Sequence, residues 1–237
     1  MFHAGDYAVF CTFCAIHCAI IGFFSSSEVD YVSRRVRRGY PRGGLLRFLA
    51  VPFCPGGNRG FLYALLHLAL IPVMATLVFG PGRFWNDWPG FWTLLMVSYV
   101  VAYLGLGAAF GRLLRMASSE VKPMHTRVIT LIAFAVGLIV PYLPGVFHHQ
   151  KFQWVTDLLR VTNPIDTLDR ISNGWGGLMG HEAFVICVAA AFGVLFNLRP
   201  MVAGIVEVLR EPLAPVRQPR ASGPDGDDEI HKLQPAE

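Results

Sequence analysis

The sequence predicts an all-α membrane protein: a polytopic bundle of five transmembrane helices, with the N-terminus outside and the C-terminus inside the cell. Five long apolar runs contain no Asp, Glu, Lys or Arg, except for Glu182 at the edge of the last run. A bilayer core about 30 Å thick requires roughly 20 apolar helical residues to span it, so each run is long enough to cross the membrane. All 20 Lys and Arg residues lie outside the runs, which are predicted as spans over residues 8–24, 60–80, 91–110, 128–147 and 182–198.

The segments that connect the runs alternate between many and few basic residues, and this alternation orients the bundle. In chain order they hold seven, one, four, three and five Lys or Arg residues. Because cytoplasmic loops retain Lys and Arg, the first, third and last segments are predicted inside, with sixteen basic residues against four outside. A composition of 54% hydrophobic and 15% charged residues favours a multi-pass protein of the cell membrane, which is the inner membrane if the source is bacterial.

The first inner segment contains a predicted short helix from Ser27 to Arg38. Its last turn holds four arginines, Arg34, Arg35, Arg37 and Arg38. One interpretation is an interfacial anchor on the headgroups of anionic membrane lipids, and the other is a docking helix for a cytoplasmic protein. The apolar stretch from Leu45 to Phe53 is too short to cross and is predicted to lie along the inner interface.

The outer segment of residues 148–181 is predicted to form two short helices packed on the mouth of the bundle. Apolar residues recur at helical spacing on both sides of the break at Asn163-Pro164. Pro141, near the outer end of the fourth span, is tolerated where neighbouring groups satisfy the backbone that it frees. The glycines between Leu104 and Gly111 predict a close approach of helices.

Two regions follow from these elements. Residues 1–210 are predicted to form a transmembrane helical domain. Residues 211–237 are rich in Pro, Gly, Asp and Glu, and cannot bury enough apolar area to fold, so they are predicted to form a disordered cytoplasmic tail.

Side chains that could bind a metal ion or a haem occur on the first two spans. Cys11, Cys14, His17 and Cys18 fall within an arc of about 120° on one helix, and such thiols and an imidazole are ligands for copper or zinc. Cysteines also pack as small apolar residues, and the spacing matches no zinc or haem motif. His17 and His67 both lie seven residues from the inner ends of their spans, a matching depth that axial ligation of a haem requires. A neutral histidine bonding across helices is the alternative.

Histidines also flank the outer segment at its membrane ends. His148, His149 and His181 are candidate metal ligands at an outer entrance, and solvated interfacial histidines are the alternative. Glu182 is a candidate polar contact lining that entrance, unless its side chain only reaches out to water.

Motifs of catalysis are absent from the sequence. The chain contains no GxxxxGK[ST] phosphate loop, no HExxH, no GxSxG and no dinucleotide fingerprint. It is therefore not expected to be an enzyme, and no catalytic residue and no cofactor are predicted for the leading interpretation. The basic residues concentrate on one predicted membrane face without interleaved aromatics, which argues against nucleic acid as a partner.

The order of these elements resembles the permease subunit of type-2 ABC transporters, a family of exporters with six spans and both ends in the cytoplasm. In that family a coupling helix follows the second span and presses on the ATPase, and outer re-entrant helices precede the last span. In this chain the helix from Ser27 to Arg38 occupies the place of the coupling helix. The stretch from Phe152 to Ile171 occupies the place of the re-entrant helices, and its Asn163-Pro164 pair is similar to one often found in them. The resemblance implies a cytoplasmic ATPase subunit and a second permease subunit as partners, with the four arginines facing the ATPase.

The chain departs from the family pattern in lacking the first span. Its five spans would align with the family's spans two to six, as expected of a truncated start or a diverged relative. The leading hypothesis is a non-catalytic, permease-like subunit of an ABC-type transporter. The alternatives are a haem- or metal-binding membrane redox protein and a lipid-anchored membrane scaffold.

Overall fold

The computed structural model describes residues 4–28, 41, 43–54, 56–80, 82, 88–118, 120–142, 159–172 and 179–210. No β-strand occurs among them, which confirms the predicted all-α class. The α-helices of this part of the chain are α1 (Ala4–Ser26), α2 (Gly44–Ala50), α3 (Gly57–Phe79), α4 (Trp88–Ala117), α5 (Pro123–Ile139), α6 (Pro164–Ser172) and α7 (Met179–Arg210). Short 3-10 segments, Val51–Phe53 and Val140–Tyr142, continue α2 and α5.

Four helices are long and apolar enough to cross a membrane, judged by length and composition. Their apolar windows are Val9–Ser26 in α1, Gly57–Phe79 in α3, Gly90–Ala117 in α4 and His181–Leu209 in α7. The fourth predicted span coincides with α5, a shorter apolar helix of 17 residues that begins at Pro123 rather than at residue 128. Four such helices suggest a multi-pass membrane protein, in agreement with the composition.

The helix α4 is the centre of the bundle. It packs against α1, α3, α5, α6 and α7, and 56% of its apolar window is buried, compared with 22–28% for the other three long helices. Its Leu95 and Tyr99 join Cys11 of α1, Leu68 of α3 and Ile186 of α7 in the main apolar core. The remaining helices therefore surround α4 and turn one face away from it.

The outward faces of the surrounding helices are strongly apolar. Phe13 is 70% exposed, Leu77 is 74% exposed and Phe184 is 68% exposed, and many other large apolar side chains of α1, α3, α5 and α7 are exposed as well. Soluble monomers rarely expose apolar patches beyond a few hundred Å². Such a surface is compatible with the hydrocarbon core of a membrane.

The glycines of α4 allow its neighbours to approach closely, which confirms the predicted packing role. A Cβ added at Gly105 would lie 2.8 Å from the Cα of Gly193 on α7, so these two backbones nearly touch. A Cβ at Gly107 would collide with the side chain of Thr130 on α5, and one at Gly111 would collide with Thr126 one turn away. Small residues at such positions permit the close helix contacts that stabilise bundles in membranes.

Basic and polar side chains from different helices meet at one end of the bundle, here called the basic end. The Nε of Arg127, on α5, donates to the hydroxyl of Ser27 after α1 at 2.8 Å. The guanidinium of Arg112, near the end of α4, donates to Asn58 at the start of α3 at 3.4 Å. These contacts join C-terminal ends of α1 and α4 to N-terminal ends of α3 and α5. The helices α1, α3, α4 and α5 therefore run in alternating directions.

The short helix α2 also lies at the basic end. It begins at Gly44, one residue before the predicted interfacial stretch, packs against α7, and exposes Leu45, Leu46, Phe48 and Leu49. Several predictions fall outside the described residues: most of the helix from Ser27 to Arg38, with its four arginines, His148 and His149, and the tail of residues 211–237.

Candidate functional site

The segment of residues 159–172 enters the bundle and carries a buried polar turn. Asn163 and Thr167 are each 1% exposed and Val161 is 4% exposed. The side-chain oxygen of Asn163 accepts hydrogen bonds from the backbone N–H of Ile165 at 2.9 Å and of Asp166 at 3.2 Å. Asparagine is a strong N-cap residue and proline suits the first position of a helix, so Asn163-Pro164 starts α6 at this point.

The turn satisfies backbone carbonyls at the end of α5. Pro141 has no N–H, so the helix offers no donor to the carbonyl four residues earlier, that of Gly137. The hydroxyl of Thr162 lies 3.1 Å from this carbonyl and 2.7 Å from that of Leu159, and its single proton can be donated to only one of them at a time. The side-chain amide of Asn163 donates to the carbonyl of Leu138 at 3.1 Å. Polar side chains of the turn therefore lie within hydrogen-bond distance of two carbonyls at the end of α5.

Two tyrosines of α4 hold the other side of the turn. The hydroxyl of Tyr99 donates to the carbonyl of Val161 at 2.6 Å and lies 2.9 Å from the hydroxyl of Thr167. The hydroxyl of Tyr103 donates to the carbonyl of Thr162 at 2.6 Å. At 1.5 Å per residue, Tyr103 lies about 22 Å from the start of a helix about 45 Å long. The turn thus bonds to residues near the middle of α4, and we call residues 159–172 the re-entrant segment.

An ion cluster joins the re-entrant segment to the start of α7. The guanidinium of Arg170 lies 2.7 Å from the carboxylate of Glu182 and 2.9 Å from that of Asp166. Glu182 is 8% exposed, and buried charges are tolerated when they are paired. Glu182, predicted as a polar contact at an entrance, therefore ties α6 to α7, while His181 beside it is exposed.

An apolar cavity of about 400 Å³ borders the re-entrant segment. It lies between α1, α4, α5 and α6, with Tyr99, Tyr103 and Pro164 in its wall next to the turn and Ile16 on the side of α1. The site therefore combines non-helical backbone deep in the bundle with an adjoining space. Lipid does not tolerate such backbone, which occurs at membrane depth only when it is buried in protein or lines a cavity.

The cysteines and histidines predicted as metal or haem ligands lie on different surfaces. Cys11 and Cys18 are buried in the core, Cys14 is half-buried and His17 is exposed. His67 donates from Nδ1 to the carbonyl of Tyr63, one turn earlier in α3, at 2.9 Å. Among the residues that the structure describes, no three His, Cys, Asp or Glu side chains lie close enough to hold a metal ion.

Sequence reasoning missed the side chains that build this site. The signals for Tyr99, Tyr103 and Thr162 were present only in part: a buried tyrosine requires a partner for its hydroxyl, and Pro141 requires a donor for one carbonyl. Which residues supply them depends on the tertiary fold. In comparisons with known proteins, no family model matches the chain, and no curated protein or solved structure matches it.

Proposed function

We propose that this chain is a non-catalytic, permease-like membrane subunit of an ABC-type exporter. The observation that carries the proposal is the re-entrant segment, whose polar turn bonds to Tyr99 and Tyr103 beside an apolar cavity. Broken helices and irregular backbone inside a membrane bundle are typical of transport proteins, in which they line the path of the substrate. A scaffold needs no such turn.

The proposal includes five spans, with the N-terminus outside and the C-terminus inside. The 17 residues of α5 extend about 25 Å and the 3-10 segment that follows adds about 6 Å, which together match a core of about 30 Å. The common direction of α4 and α7 supports this, since Ser98 lies beside Cys187 and Gly105 lies beside Gly193. The end of α4 and the start of α7 are therefore at opposite ends of the bundle, and a crossing by α5 would return the chain between them. The basic end would then face the cytoplasm.

The proposed mechanism is a change of helix packing driven by a partner that binds ATP. The re-entrant segment is held to α4 and α5 by individual side-chain bonds, which cost little to exchange. Its α6 is tied to α7 by the pair of Arg170 and Glu182 at 2.7 Å. A tilt of α7 would therefore move α6 and open or close the cavity next to it. A second permease subunit would complete the path.

The experiment that tests this function asks whether an ATPase binds the arginine cluster. A photo-crosslinking amino acid at Val36 is introduced into the full chain in its native membrane, and captured proteins are identified. We expect capture of an ATPase with a phosphate-binding loop, and loss of capture when the four arginines are replaced by glutamate. A control variant, Lys122→Glu with Lys232→Glu, reverses charge elsewhere and should keep the capture. Capture that survives the fourfold reversal, or that yields no nucleotide-binding protein, would contradict the proposal.

The topology can be tested separately in a variant without native cysteines. Glu120→Cys lies between α4 and α5, and His149→Cys lies beyond α5 in the chain. If α5 crosses, a membrane-impermeant maleimide labels His149→Cys in intact cells, and labels Glu120→Cys only after permeabilisation. Labelling of both positions from the same side would show that α5 does not cross.

A further inference from the structure

A second pocket lies at the basic end, between α4, α5 and α7. Its volume is about 960 Å³. The helices α5 and α7 both pack against α4, but they make no extensive contact with each other among the described residues, so α4 forms the floor of the pocket and the other two form its sides. No described residue of the re-entrant segment lines this pocket, although Tyr103 and Thr130 border both pockets. The proposed function does not use the rest of its lining.

Three arginines gather at one end of this pocket. Arg112 and Arg115 lie three residues apart on one face of α4, and Arg199 of α7 lines the same space. Arg115 donates to the hydroxyl of Thr126 at 3.0 Å, and a guanidinium has five N–H donors, so this bond leaves others available. None of the described residues that line the pocket is acidic. The described lining of the pocket is therefore positively charged.

The rest of the lining is apolar. Leu106 and Phe110 of α4, Ile129 of α5 and Phe196 of α7 contribute to it. Along α4 the pocket extends from Tyr103 to Met116, about 20 Å at 1.5 Å per residue. One leaflet of a bilayer, including its headgroup region, is also about 20 Å thick.

We infer that this pocket binds one phospholipid with an anionic headgroup. Its phosphate would lie between Arg115 and Arg199, since guanidinium groups bind phosphate through two parallel N–H bonds. Arg112 would add its positive charge nearby while it keeps its bonds to Asn58 and Phe196. An acyl chain would lie against Leu106 and Phe110. The inner leaflet supplies such lipids, and basic pockets between helices on the cytoplasmic side are where their headgroups bind. A free phosphate ion would use the arginines but would leave the apolar length of the pocket empty.

The test is native mass spectrometry of the full chain, purified in detergent and supplied with phosphatidylglycerol or phosphatidylcholine. We expect each chain to retain one phosphatidylglycerol, roughly tenfold better than phosphatidylcholine. The variant Arg115→Gln with Arg199→Gln should lose this preference. Lys122→Gln with Lys232→Gln removes the same charge outside the pocket and should keep it. Equal retention of both lipids by the wild type, or an unchanged preference in the arginine variant, would overturn the inference.

A second variant separates a lipid from a free anion. Ala133 is exposed and lines the apolar part of the pocket, so Ala133→Trp fills that part without touching the arginines. We expect it to lower the retention of phosphatidylglycerol while thermal unfolding stays close to that of the wild type. If Ala133→Trp retains the lipid fully, the apolar part of the pocket does not hold an acyl chain and the inference is overturned. Full displacement of phosphatidylglycerol from the wild type by millimolar inorganic phosphate would likewise show that the arginines alone account for the binding.

Discussion

Replacing Asn163 by alanine should loosen the re-entrant segment, because this one side chain both caps α6 and bonds to α5. Its oxygen caps α6 through the N–H groups of Ile165 and Asp166, and its amide donates to the carbonyl of Leu138 on α5. Loss of an N-cap costs about 1 kcal/mol. Loss of a bond between elements in a membrane bundle costs about 0.6 to 1.7 kcal/mol. The free energy of unfolding should therefore fall by roughly 2 to 3 kcal/mol in Asn163→Ala.

The matched variant Asn163→Ser separates the two contributions. A serine oxygen still caps the helix, whereas its side chain is too short to replace the bond to Leu138. Unfolding of the purified chain by sodium dodecyl sulfate in mixed micelles, followed by circular dichroism, measures both variants against the wild type. Asn163→Ser should lose about 1 kcal/mol, and the difference between the variants should be the value of the cap, also about 1 kcal/mol.

The two Asn163 variants also test whether the turn is buried. If the turn lay at the aqueous surface, water would replace the bond to Leu138 and would compete with the cap. Both variants would then unfold within about 0.5 kcal/mol of the wild type, as substitutions at exposed positions do. That result would refute the placement of Asn163 between α4 and α5, and with it the observation on which the proposed function rests.

Two further substitutions test the packing of α4 against α7 and the bond from Arg112 to α7. Gly105→Ala should destabilise the bundle by about 1 to 3 kcal/mol, because its Cβ would press on the backbone of α7, whereas Gly44→Ala has open space and should be neutral in the same unfolding assay. Arg112 donates to the carbonyl of Phe196 at 3.2 Å, and Pro200→Ala would restore a backbone N–H to that carbonyl. Arg112→Leu should therefore destabilise the wild-type protein more than it destabilises the Pro200→Ala variant. Equal losses in this double-mutant cycle would show that the bond contributes nothing.

The helices themselves could be predicted from the sequence because their signals are local. Long apolar runs between basic segments located both ends of α1 and α3 to within four residues, and the starts of α4 and α7 to within three. The span predicted over residues 128–147 was displaced, since α5 begins at Pro123 and ends at Ile139, and α4 extends seven residues beyond its predicted end. The helical spacing of Val202, Ile205 and Leu209 indicated the extension of α7. The glycines from Gly105 to Gly111 indicated close packing because only small residues permit it. These properties depend on residues within one helix, and a single sequence contains them.

The candidate site could not be predicted in the same way. Tyr99 meets Thr167 across 68 positions of the chain, and Arg112 meets the carbonyl of Phe196 across 84 positions. Such pairs depend on how the helices are rotated and shifted against each other, which hydropathy does not report. Histidines and cysteines were predicted as metal or haem ligands because of their side-chain chemistry. In the structure Cys11 and Cys18 serve the apolar core, as the packing alternative expected.

The two prolines near the ends of the bundle show how this fold is completed. Pro141, in the 3-10 segment after α5, removes the helical donor to the carbonyl of Gly137, and Pro200 in α7 removes the donor to that of Phe196. The hydroxyl of Thr162 lies 3.1 Å from the first carbonyl, and the guanidinium of Arg112 donates to the second at 3.2 Å. Each carbonyl is thus approached by a side chain from another element, through a bond that is weaker and more easily exchanged than a helical one. The re-entrant segment borders the apolar cavity through Pro164, and Pro200 lines the proposed lipid pocket. A movement of α7, or a lipid bound beside Arg112, would therefore act where the helices exchange such bonds.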